Sequence, residues 1–346
     1  MVNTLFILSI SVIFSVLFAW SFRTLQKEKW QILGTIPKHK CDDGAWQGTN
    51  FTYYGLFTAI AAVFACSIGL ILFASQAVDL TTMMILSLAI LVPCMAAAKL
   101  VAAIVEKKEA TLSIAGASFI GIMFCPWLIL ASQHYLGLNL PIVSALAVLS
   151  IAYTFGESLG RLACISFGCC YGKRVKDLPD WLGRIIKRFS FVFDGDLKKI
   201  TYAHQMNGEA VIPIQGITSV IYASTGVAGI YLFINGYHTA AFLLTMIVTQ
   251  VWRLISEIFR ADYRGEGKIS AYQVMGGISV LYVIGIAFLF PISTVPVSDV
   301  AVGLKLFWNP GVILFLELLG LATFIYTGRS QVTGATMTFN VHTHKI

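Results

Sequence analysis

Charge is what this chain has least of. Lys and Arg total 24 and Asp and Glu 17 of 346 residues, so 12% are charged while 57% are hydrophobic. With a mean hydropathy of +0.79, this balance excludes a soluble domain and leaves no nucleic-acid partner expected. It places the chain among all-α polytopic membrane proteins. No internal repeat is visible, which removes the usual mark of a transporter built from two halves. Paired CxxC motifs are missing and the seven cysteines are an odd number, so a secreted disulfide framework is excluded. None of the six histidines falls inside an apolar run; His134 and His204 read as loop residues, and the general base is unassigned.

What is present is apolar sequence in lengths that span a bilayer. Nine runs stand out, roughly Asn3–Phe22, Thr52–Ala74, Leu80–Val105, Thr111–Ser132, Leu140–Gly168, Val211–Ile234, Thr239–Phe259, Ala271–Ile292 and Pro310–Tyr326. The first reads as a retained anchor: it lacks a basic start, and Arg23, Lys27 and Lys29 follow it. The expected organisation is an anchor and basic linker over 1–51, a transmembrane core over 52–292, and a C-terminal helix and tail over 293–346.

Alternating the loops across the membrane sends the basic residues to one side. Arg23 to Lys40, Lys107 and Lys108, the cluster from Lys173 to Lys199, and Arg260, Arg264, Lys268, Arg329 and Lys345 share it. Lys305 alone is opposite, and Lys99, Arg161 and Arg253 lie within spans. Short basic loops stay in the cytoplasm, so the N-terminus is expected outside and the loop after Cys170 inside.

Ionisable side chains within a span are costly and mark candidate sites. Glu157 and Arg161 are four apart on the fifth run, and Arg253, Glu257 and Arg260 recur at i, i+4 and i+7 on the seventh. Internal ion pairs, Arg161 with Glu157 and Arg253 with Glu257, are one account. A pocket that grips a phosphate is the other, because a guanidinium suits bidentate capture and a lipid headgroup supplies the phosphate. Between the fifth and sixth runs, about 173–210, Leu178, Trp181, Leu182, Ile185, Ile186 and Phe189 repeat at helical spacing among basic residues. Pro179 fits the first turn. This predicts an interfacial helix on anionic lipid, with a calmodulin-like partner the weaker alternative.

The stretch GESLGRLACISFGCCYGK, 156–173, adds Cys164, Cys169 and Cys170. Three accounts stay open: acceptor-like or covalent thiols, a metal site, or packing where the helix ends at Gly168 and Gly172. Packing leads, since a CxxxxCC spacing lacks paired CxxC geometry, and neither metal nor cofactor is called for.

These motifs follow the order found in one family. The chain resembles the prolipoprotein diacylglyceryl transferases from about Thr52 to Gln273. Tyr53-Tyr54-Gly55-Leu56 looks like the family's tyrosine-glycine-leucine opening, and Gly160-Arg161 like its Gly-Arg signature. Pro213 and Gln215 match its Pro-Ser-Gln motif, Arg253, Glu257, Phe259 and Arg260 its Arg-Phe-x-x-Glu-Phe-x-Arg helix, and Gln273 its closing glutamine. Cys164, Gly168-Cys169 and Gly172 stand where the signature has Asn, Gly-Glu and Gly. No histidine occurs in Ser113–Gly121, where the family has His-Gly-Gly, and Thr249 replaces a tyrosine. The resemblance implies a bacterial inner-membrane enzyme with a seven-helix core, here with one extra helix at each end. It implies transfer of the diacylglyceryl group of phosphatidylglycerol to the thiol of a cysteine-containing protein or small acceptor, with release of glycerol phosphate. Arg161, Arg253 and Tyr54 would then be catalytic, and Glu157, Glu257, Arg260, Cys169, Gly172 and Gln215 substrate-binding. A non-catalytic lipid-binding or assembly protein is the alternative.

Overall fold

The structure, a computed structural model, describes residues 1–107, 113–263, 269–290 and 298–346. Lys108, Arg264 and Lys268, counted in the charge bias, lie outside the described residues, as do Thr111 and Ile292, the ends of two apolar runs. Among the described residues, nine helices are long and apolar enough to cross a membrane.

They are α1 (Val2–Thr24), α2 (Tyr53–Ala74), α3 (Leu80–Glu106), α4 (Ile114–Tyr135), α5 (Ile142–Phe167), α8 (Ile214–Ile234), α9 (His238–Phe259), α10 (Ala271–Leu289) and α12 (Pro310–Gly328). Three short α-helices join them among the described residues: α6 (Asp180–Lys187), α7 (Lys199–His204) and α11 (Val300–Lys305). Polar residues at their starts satisfy the orphan amides of several helices. Thr52 accepts from Gly55 N (3.4 Å) at α2, Asp79 from Thr82 N (2.9 Å) at α3, and Ser113 from Gly116 N (3.1 Å) at α4. Ser270 and Gln273 form a reciprocal capping box at α10. His134 and His204, read as loop residues, instead end α4 and α7.

Helix α5 is the axis of the bundle. It packs against α2, α8 and α9, and its polar residues Ser144, Ser150, Thr154 and Ser158 are buried with its apolar ones. Ser158 and Ser219 of α8 exchange hydroxyl-to-carbonyl bonds at 2.7 and 2.9 Å. With no hydrophobic drive between helices in lipid, small residues and such cross-helix bonds hold the seam.

Several helix ends are tied together on one face. Lys198 Nζ donates to Leu25 O (3.1 Å) beyond α1 and to Ser166 O (2.5 Å) in the last turn of α5. Lys173 N donates to Phe259 O at 2.9 Å, and Ser113 N to Ala98 O at 2.8 Å. On this face the chain also forms strands that the apolar pattern did not announce. Strands β1 (Ile32–Lys40) and β2 (Trp46–Thr52) pair antiparallel, and β5 (Arg329–Met337), which follows α12, adds to the other side of β2. Asn50 links the three strands, accepting from Thr35 Oγ1 at 2.7 Å and donating to Thr333 Oγ1 at 3.2 Å. At its base α2 and α12 nearly touch: a Cβ on Gly55 would stand 2.0 Å from Gly328 Cα, and Thr52 Oγ1 donates to Gly328 O at 3.1 Å. The two-residue strands β3 (Phe191–Val192) and β4 (Ala210–Val211) pair beside them.

A helix forms in the 173–210 segment, α6, shorter than the pattern suggested. Pro179 is its N-cap rather than a first-turn residue, and Trp181, Ile185 and Phe189 are exposed. On α6 the exposed apolar Trp181 and Ile185 stand beside the exposed Arg184 and Lys187.

Candidate active site

Two cavities meet near the tied face. One, of about 250 Å³, is lined by polar residues of α5, α8 and α9, by the turn after α5, by Lys99 and by Arg329 to Val332 of β5. The other, of about 360 Å³, is an apolar crevice between α2, α3, α4, α5 and α10. Tyr54, Ile114, Arg161 and Cys164 line both.

At the junction one carboxylate serves two arginines. Glu157 Oε2 accepts from Arg161 Nη2 at 2.8 Å, and Oε1 from Arg253 Nη2 at 3.0 Å. All three are buried or nearly so. The i, i+4 pair on α5 is as the sequence suggested, but Arg253 crosses between helices to Glu157. Glu257 lies against Arg260 instead, at 3.5 Å. The reason is packing: α5 and α9 are in direct contact, and the crossing brings Arg253 over Glu157. Tyr153, one turn before Glu157, completes the set, accepting from Arg253 Nη2 (2.9 Å) and Gln250 Nε2 (3.3 Å). Among the described residues, Nε of both Arg161 and Arg253 is buried without a partner. Two cations against one anion leave an excess positive charge where the cavities meet. That is the electrostatic setting for a phosphate.

Arg260 is not a third member of the same helix face. Helix α9 ends at Phe259, and Arg260 is extended (φ −81°, ψ 150°), bridging the backbone of Gly172. Its guanidinium forks onto Asp262, with Nε and Nη2 each at 2.8 Å from a carboxylate oxygen. Gly172 is needed for close approach: a Cβ there would stand 2.6 Å from Ile212 Cβ and Ile212 O. Gln215 is buried, lines the polar cavity and donates to Cys169 O at 2.7 Å, pinning the cysteine turn to α8. Tyr54 packs edge-on against Phe167 at 5.7 Å and lines the polar cavity together with Arg161 and the three cysteines.

The turn itself is made by Gly168 at φ +70°, where the Cys169 amide returns to Cys164 O at 3.0 Å. This is the left-handed helix end that glycine permits. Cys170 also has positive φ, +57°, an uncommon state for a residue with a Cβ. The three Sγ atoms lie within 4.8 Å of one another. Hydrogen bonding with the Cys164 and Cys170 thiols, together with burial, pushes the Cys169 thiol well above its ordinary range. Lys199 also lines the polar cavity. Burial opposes its charge, but Cys169, Cys170 and Asp262 outweigh that and raise its pKa.

A profile of the prolipoprotein diacylglyceryl transferase family matches residues 45–290. The chain belongs to that family. Among curated proteins, none matches it. With nine apolar helices among the described residues, this family member is a multi-pass membrane protein of the lipoprotein-modifying transferase type. Its matched stretch contains both cavities except Tyr326 to Val332, contributed by α12 and β5.

Of the residues the sequence nominated, Tyr54, Arg161, Cys169, Gln215, Arg253, Glu257 and Arg260 line the polar cavity. Glu157 binds two of them from the crevice side, and Gly172 acts through the backbone. Sequence reading missed Tyr153, although its position four residues before Glu157 on a helix is a usable signal. It also missed Asp262, two residues beyond Arg260. Nothing in the apolar pattern pointed to Arg329, which a strand delivers.

Proposed function

We propose that this protein is a phospholipid-dependent transferase that moves the diacylglyceryl group of phosphatidylglycerol onto a cysteine thiol of a protein or small acceptor. The observation that carries this is the Arg161–Glu157–Arg253 bridge standing where a polar cavity opens into an apolar crevice. A lipid with its phosphate on the arginines has room for its glycerol head in the polar cavity and for acyl chains in the crevice. Displacement at the glyceryl carbon by a thiolate puts charge on the departing phosphate. In this reading Arg161 and Arg253 stabilise that charge, while Glu157 and Tyr153 hold the guanidinium planes. Tyr54 is suited to donate to the headgroup or to settle the thiolate, Gln215 and Gly172 to hold the cysteine turn, and Arg260 with Glu257 to close the end of α9. Purified protein should release glycerol phosphate from labelled phosphatidylglycerol in the presence of a cysteine-containing peptide, and should complement a strain depleted of prolipoprotein transferase. Lipid binding without release would favour the second reading, a non-catalytic lipid-binding or assembly protein. One observation supports that reading: the first turns of α4, Ser113 to Gly121, bring no imidazole to the cavity.

The location that fits is a bacterial cytoplasmic membrane with the cysteine turn, the sheet and α6 in the cytoplasm, because the tied face carries the basic residues. A cysteine introduced at Ser190 should resist a membrane-impermeant thiol reagent in intact cells; labelling there reverses the orientation.

A further inference from the structure

Cys164, Cys169 and Cys170 are not needed to grip a phosphate, yet the fold goes to some length to gather them. Side chains of adjacent residues usually diverge. Here Cys170 takes up a left-handed backbone conformation (φ +57°), a strain that persists only where its surroundings over-determine it. Gln215 holds the turn through Cys169 O, and the result is three Sγ atoms within 4.8 Å of one another. Tetrahedral zinc, with Zn–S bonds of about 2.3 Å, sets its sulfurs about 3.8 Å apart. Small side-chain rotations close that gap. Among the described residues this is the one group of three or more His, Cys, Asp or Glu side chains close enough to share an ion.

The surroundings suit an anionic metal centre. Zinc with three thiolates carries a net negative charge, and Arg161, Lys199 and Arg260 line the same cavity. All three cysteines line it too, so a fourth coordination position has space to face the arginine pair. A closed structural site would use four protein ligands; three ligands with an open position is the catalytic pattern.

We propose that Cys164, Cys169 and Cys170 bind a zinc ion whose open fourth position takes the acceptor thiol, a role that rests on the transferase reading above. A thiol bound to zinc is deprotonated, so the metal supplies the deprotonation for which no general base is assigned. The acceptor's proton passes to solvent on binding. Its sulfur then attacks the glyceryl carbon: the C–S bond forms, the C–O bond to phosphate breaks, and glycerol phosphate leaves with the bonding electrons toward Arg161 and Arg253. The thioether, a weaker ligand than a thiolate, leaves the metal, which undergoes no change of oxidation state.

The test begins with metal analysis and X-ray absorption of the purified full-length protein. One zinc per chain with three sulfur neighbours is expected. Cys164→Ser, Cys169→Ser and Cys170→Ser should each lose stoichiometric zinc, while Cys41→Ser, in the β1–β2 turn, keeps it. Should the three variants fail to fold, chelation of the wild-type protein and re-addition of zinc provides the same comparison. With cobalt in place of zinc, the sulfur-to-metal charge-transfer band should grow by one thiolate when a cysteine-containing peptide is added. Zinc-free protein, a copper ion alone, a disulfide at Cys164, or a cobalt spectrum indifferent to the peptide each overturns the proposal. Lipid turnover that survives zinc removal also overturns it and leaves the transferase reading intact. Zinc bound as described without any lipid turnover removes the transferase reading and keeps the metal site.

Discussion

The polar cavity and the apolar crevice share Tyr54, Ile114, Arg161 and Cys164, and elsewhere the first is lined largely by polar and charged residues and the second largely by apolar ones. The first depends on charge compensation: Glu157 is the anion against which two buried guanidiniums are held. The second depends on small side chains, among them Ala61, Ala65, Gly69, Ala117, Ser118 and Gly156, which leave space between helices rather than contribute a charge. A change in one should therefore act through electrostatics and a change in the other through volume.

The largest effect is expected at Glu157. Glu157→Gln leaves two arginines in the interior without their shared anion, a loss of about 3–5 kcal/mol for a broken buried pair. Thermal unfolding in detergent should move down clearly, and an unchanged midpoint would mean that water or lipid already compensates the arginines. In the crevice, Ala117→Phe should leave unfolding nearly where it was and weaken phospholipid affinity by roughly tenfold, about 1.4 kcal/mol. Equal loss of stability in both variants would erase the distinction between the two regions.

The difference also explains what the sequence could disclose. Apolar length alone located the spanning helices, because backbone polar groups in lipid leave few alternatives. Glu157, Arg161 and Arg253 stood out because ions are rare in spans. Their pairing did not follow from spacing, since i, i+4 rules describe one helix and Arg253 pairs across two. The sheet was illegible for a related reason. Its strands come from opposite ends of the chain, and β2 meets β5 only after α2 and α12 close at Gly55 and Gly328. The CxxxxCC spacing likewise argued against a metal, and it could not disclose that a turn with positive φ at Gly168 and Cys170 leaves the three Sγ atoms within 4.8 Å of one another.

The smallest expected effect lies behind the site. Lys198 is buried against Leu25 O and Ser166 O, and burial lowers its pKa from 10.5 to about 8. Between those values the unfolded chain binds more protons than the folded one, so stability rises as the pH climbs from 8 toward 10.5. The slope is at most about 1.4 kcal/mol per pH unit. Lys198→Met should abolish that rise in a pH series of unfolding midpoints; persistence of the rise would assign it to another group.

In the proposed reaction Arg161 and Arg253 grip the lipid phosphate where the two cavities meet. The direct measurement is glycerol phosphate release from phosphatidylglycerol by purified wild-type protein, Arg161→Ala and Arg161→Lys, with circular dichroism to show that each is folded. Arg161→Ala should lose on the order of a hundredfold or more in rate, the usual effect of removing one donor to a developing anion. Lysine should restore little, because it offers a point charge rather than a fork. Turnover at the wild-type rate in folded Arg161→Ala would contradict the claim.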